Sequence, residues 1–126
     1  MNTLFLVYLI VEAIFGIGFL VAPNILMGDM GVTLDETSTN LARLFGSLII
    51  SMPVLLYFAR KSASEEFKRG VVYCVFFYLL LSTILLLINQ IEGLMNSMGW
   101  GIVILHFGFM LWFGNFIINR GKSNPV

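Results

Sequence analysis

The sequence predicts an all-α integral membrane protein, a four-helix bundle running up-down-up-down with both termini in the cytoplasm. Three observations carry that prediction. Hydrophobic residues make up 59% of the chain and charged residues 11%, whereas an ordinary soluble domain has about 25% charged residues. Too few polar side chains exist to cover a compact fold in water. The apolar residues gather in runs at about 3–21, 41–59, 71–88 and 98–118, each close to the roughly 20 residues an α-helix needs to cross about 30 Å of hydrocarbon. Outside those runs the basic residues fall in only two segments. Strands are a poor alternative, because alternation is absent and a sheet in lipid would leave edge backbone groups unsatisfied.

The first run has no basic leader, carries Glu12 near its middle, and offers only Leu20-Val21-Ala22 before a proline as a cleavage site. It reads as a retained span and not as a removed signal peptide. Residues 24–30 follow Pro23 and are too apolar for a solvated loop; they read as a short interfacial helix closed by Gly28 and Gly31. Thr33-Leu34-Asp35-Glu36 and Ser62-Ala63-Ser64-Glu65 have the S/T-x-x-E form, in which a hydroxyl and a glutamate satisfy first-turn amides reciprocally. They set the starts of the second and third helices near Leu34 and Ala63. Pro53 should bend the second helix and free the Ile49 carbonyl, with Ser51 beside it to compensate. Asn96-Ser97 caps the fourth helix and Gly121 stops it. No internal repeat, low-complexity tract or second domain is present, so 1–126 reads as one transmembrane domain.

Orientation follows from charge. The linker between the second and third runs holds Arg60, Lys61, Lys68 and Arg69, and the C-terminal tail holds Arg120 and Lys122. The other two loops hold Asp29, Asp35, Glu36 and Glu92 but no Lys or Arg. By the positive-inside rule the linker and both termini are cytoplasmic, in a multi-pass protein of the cell membrane.

Several function classes drop out. Net charge is zero, which points to neither nucleic acid nor acidic substrates. The lone Cys74 leaves no intrachain disulfide, CxxC centre or cysteine metal site, and a single histidine makes a multi-histidine zinc or haem site untenable. No phosphate loop, H-E-x-x-H or G-x-S-x-G occurs. No catalytic residue, metal or cofactor is therefore assigned, and the lipid bilayer is the first partner.

The leads that remain are polar groups in or beside the apolar runs. A charge within the bilayer costs about 2.5–3.5 kcal/mol on insertion scales, so each calls for a partner or a water-filled cavity. Tyr8, Glu12, Phe15, Gly16 and Phe19 share one stripe of the first helix; Gly99, Ile102, His106, Phe109 and Phe113 share one of the fourth. His106 lies roughly 12 Å into its helix at 1.5 Å per residue, a depth comparable with that of Glu12. On the second helix Arg43 shares a stripe with Gly46, Ser47 and Ile50. If these stripes meet, Glu12, Arg43 and His106, with Tyr8 and Ser47, form one polar cluster able to hold a ligand head or move a proton. The plainer alternative is an internal Glu12–Arg43 ion pair that sets helix registry and a histidine that is simply packed and hydrogen-bonded. Ala42-xxx-Gly46 and Ser97-xxx-Gly101, with Gly108 on the stripe of Gly101, read as close-packing contacts. Trp100, Trp112, Tyr57, Tyr73 and Tyr8 read as interfacial anchors.

Gly16-Ile17-Gly18-Phe19-Leu20-Val21-Ala22-Pro23 and Leu41-Ala42-Arg43-Leu44-Phe45-Gly46 resemble a family of small bacterial four-span membrane proteins of unknown function. The likeness covers most of the chain: a glycine-bearing first span ending in proline, a short loop, and an Ala-Arg-Leu-aromatic-Gly opening of the second span. In overall shape that family is similar to DoxX-like four-helix bundles, some of them linked to quinone or thiol redox chemistry. The resemblance implies a bacterial inner-membrane location and lends weight to Arg43 and Gly46.

Together these readings favour a non-enzymatic membrane protein, either an accessory subunit of a homo-oligomer or larger membrane complex, or a binder of a small hydrophobic ligand such as a quinone or lipid. The alternatives are a proton-coupled carrier or channel using Glu12 and His106, and a membrane enzyme acting on a lipid or isoprenoid with Glu12 as acid or base.

Overall fold

A computed structural model describes residues 1–120, which form five helices and no strand: α1 (Asn2–Val21), α2 (Pro23–Asp29), α3 (Glu36–Lys61), α4 (Glu65–Ile91) and α5 (Gly99–Arg120). Gly121 and Lys122, expected to end the fourth helix and to mark the cytoplasmic tail, lie outside the described residues, as does the side chain of Arg120. Helices α1, α3, α4 and α5 are long and apolar enough to cross a membrane.

Helix ends follow from the side chains that can satisfy first-turn amides, and α3 and α4 both start two residues later than the S/T-x-x-E spacing suggests, each with a single side-chain cap. α3 starts at Glu36 because the extended Asp35 accepts from the Ser38 amide through Oδ1 at 2.7 Å, and a carboxylate is a stronger acceptor than the Thr33 hydroxyl. That bond to the Ser38 amide holds the Asp35 carboxyl below its ordinary pKa. α4 starts at Glu65 because Ser64 Oγ accepts from the Phe67 amide at 3.1 Å. Ser62 is already committed as the residue that closes α3. Pro23 opens α2 at a position where no amide is needed, and Gly31, at φ +81°, takes the left-handed conformation that turns the chain toward α3. α3 runs on through Pro53. Ser51 donates to the Leu48 carbonyl at 2.6 Å, so it does not serve the Ile49 carbonyl that the proline was expected to free.

The bundle is made of two antiparallel pairs. α1 packs along α3 and α4 along α5, with much thinner contact between the pairs. Glycine sets the first pairing. A Cβ on Gly16 would stand 2.9 Å from the Ile50 nitrogen, and one on Gly46 would stand 2.7 Å from the Leu20 nitrogen, so the α1 and α3 backbones approach as no larger residue allows. Gly101 and Gly108 do not act this way: nothing lies within 4 Å of a Cβ at either. The two pairs meet in a core at one end of the bundle, where Phe5, Leu56, Val75 and Phe113 are fully buried. Toward the other end they separate.

Candidate functional site

The separation leaves a cavity of about 810 Å³ between the pairs, lined by α1, α3, α4 and α5. Its roof is formed by Met27 of α2, by Met30, Val32 and Leu34 after it, and by Leu94 and Met95 between α4 and α5. Asn96 ties the roof together: its backbone amide donates to the Met30 carbonyl at 2.8 Å and its side-chain Nδ2 to the Asp29 carbonyl at 2.9 Å. Gln90 Nε2 adds a bond to the Asn96 carbonyl at 3.1 Å. Thr39 of α3 donates to Asn24 of α2 at 2.9 Å, which fastens the short helix to the rim.

The walls are mainly apolar; Ser38 and Asn89 lie near the roof, and Tyr8, Glu12, Tyr78 and His106 collect at the floor. Glu12 is only 7% exposed and sits at mid-helix with its carboxyl near the hydroxyls of Tyr8 and Tyr78. Tyr8 is buried one turn below, its ring edge-on to Phe109 at 4.9 Å and its hydroxyl beside the Glu12 carboxyl. His106 faces them from α5, 6.5 Å ring to ring from Tyr78. Its Nδ1 lies 2.9 Å from the Ile102 carbonyl. A carbonyl can only accept, so Nδ1 carries the proton and, in the neutral ring, Nε2 is left as an acceptor.

The stripes expected on α1 and α5 thus face each other across this floor, and Tyr8, Glu12 and His106 come together. Arg43 and Ser47 do not join them. Both are exposed, neither lines the cavity, Ser47 donates to the Leu44 carbonyl at 2.7 Å, and among the described residues the ion pair is Lys68–Glu65, not Glu12–Arg43. The reason is angular. Gly46 lies on the line of contact with α1; at about 100° per residue, positions 42, 45 and 49 turn to one side of that line, into the cavity, while 43 and 47 turn to the other. Tyr8, being buried, is not an interfacial anchor, whereas Trp100, Trp112, Tyr57 and Tyr73 are exposed. Tyr78, Ser82 and Asn96 were not anticipated. For the first two a signal existed: they are polar residues spaced i, i+4 in the middle of an apolar run. No group of three or more metal-ligating side chains occurs among the described residues.

Residues 6–126 match a family described as a Domain of unknown function (DUF8292). No curated protein and no solved structure matches the chain.

Proposed function

The chain belongs to the DUF8292 family, and from its cavity we propose that it is a multi-pass membrane protein that binds one small hydrophobic molecule between its helix pairs. The observation that carries this reading is the cavity, whose volume of about 810 Å³ falls within the range of about 300–1,000 Å³ usual for small-molecule sites and which combines apolar walls with a few convergent polar groups. The outer surface supports membrane insertion, since large apolar residues such as Ile14, Leu44, Leu85 and Ile104 are exposed around all four long helices. With Arg60, Lys61, Lys68 and Arg69 on the cytoplasmic side, the filled end of the bundle faces the cytoplasm and the cavity the opposite leaflet. Below Glu12 the fully buried Phe5, Leu56, Val75 and Phe113 close the interior, which favours a blind binding pocket over a channel. A redox role on the DoxX pattern has little behind it, as the lone Cys74 is exposed and outside the cavity lining.

The test is extraction of the purified full-length protein with organic solvent followed by mass spectrometry, for wild type and for the cavity-filling variants Ala42→Phe and Ser82→Phe. A small apolar molecule should copurify with wild type and fall by about ten-fold in a variant whose melting temperature is kept. Equal recovery from wild type and a folded variant would refute the reading.

A further inference from the structure

The polar groups of the floor also say which heads the pocket accepts. Among the described residues no Lys or Arg lines the cavity: Arg43 points away from it, and the other basic residues whose side chains are described, Arg60, Lys61, Lys68 and Arg69, sit at the opposite end, where α3 ends and α4 begins. The floor presents acceptors instead. Glu12 offers carboxylate oxygens from α1 and His106 offers Nε2 from α5 because Nδ1 is taken by the Ile102 carbonyl, while the buried Tyr8 hydroxyl beside Glu12 can both donate and accept. Around these acceptors stand the rings of Tyr8, Tyr78 and Phe109, whose faces attract cations. An ionised carboxylate without a fixed counter-charge is costly in such surroundings, and a ligand that brings its own positive charge removes that cost.

Resting on the binding reading above, we propose that the pocket selects hydrophobic amines, molecules with an ammonium head and an apolar body, and discriminates against anionic heads such as phosphates. The ammonium N–H groups donate to Glu12 and to His106 Nε2 over the aromatic floor, and the apolar body rises between Phe45 and Leu85 toward Met27, Met30 and Met95. Methionine side chains in the roof adapt to bodies of different shape. A phosphate would meet the Glu12 carboxylate with no cation to offset it.

The single histidine of the chain makes the test direct. Full-length protein labelled with ¹⁵N-histidine, in nanodiscs of neutral lipid, is titrated with decylammonium, decanol and decyl phosphate, and the His106 resonances are followed. Decylammonium should bind about ten-fold more tightly than decanol, and decyl phosphate more weakly than either. Glu12→Gln should abolish the preference for the amine while leaving decanol binding in place, and Glu12→Asp should restore part of it. Equal affinity for amine and alcohol, an amine preference that survives Glu12→Gln, or tightest binding of the phosphate would overturn the assignment and leave the pocket standing. Failure of all three to move His106 would remove the pocket reading with it.

Discussion

The two ends of the bundle are built from the same four long helices and the same kinds of residue, yet one is filled and the other is hollow. At the filled end Leu4 and Phe5 of α1, Leu56 of α3, Val75 of α4 and Phe113 of α5 share one core and are shut off from solvent. At the hollow end α1 is drawn onto α3 by Gly16 and Gly46, while α4 and α5 keep their own company. A helix pressed against one neighbour at backbone distance is carried away from the neighbours on its other side. Close packing at the glycines decides which faces touch. The hollow is therefore the counterpart of a tight contact, and the roof held by Asn96 spans what the helices leave open.

The strongest test of that comparison is to put bulk into the contact itself. Gly46→Val places a Cβ 2.7 Å from the Leu20 nitrogen and should cost about 3 kcal/mol or more of stability by overpacking against backbone. Gly101→Val, where the space is open, should leave thermal unfolding in detergent unchanged. Equal melting of the two variants would mean that α1 and α3 are not held by this contact. Next in size is a pair of ring deletions. Phe113→Ala in the filled end should cost about 2 kcal/mol or more, since the void left by the missing ring forfeits packing contacts. Phe15→Ala, which borders the existing cavity, should stay within about 0.5 kcal/mol. Melting curves for both distinguish a filled end from a hollow one, and similar losses would erase the distinction.

The smallest effect separates the caps at the two ends. The Asp35 carboxyl at the start of α3 is held below its ordinary pKa by the Ser38 amide. Its contribution is therefore present above the unfolded-state pKa and disappears as pH falls through the lower folded-state value. Ser64, which caps α4, has no charge to lose. Asp35→Ala should lower the melting temperature at neutral pH and converge with wild type in acid, whereas the deficit of Ser64→Ala should be the same at both. A deficit for Asp35→Ala that persists in strong acid would show that charge plays no part in that cap.

Several features of this protein are determined by the sequence alone because they are local. The number of long helices follows from the runs of apolar residues, and α1 (Asn2–Val21) begins and ends within a residue of the expected 3–21, whereas α3 (Glu36–Lys61) and α4 (Glu65–Ile91) run beyond the expected 41–59 and 71–88. The inward stripe through Tyr8 and Glu12, and the one through Ile102 and His106, follow from the 3.6-residue period. Cap positions are nearly local and were displaced by two residues, because Asp35 outcompetes Thr33 and Ser62 is occupied in closing α3. The facing of α3 was decided only by tertiary structure. Its sequence permits an inward flank through Arg43 and Ser47 or one through Ala42, Phe45 and Ile49, and the choice depends on where α1 lies against Gly46. The cavity too belongs to tertiary structure: a void is a relation between faces brought near each other from far apart in the chain, and no local pattern encodes how closely those faces will meet.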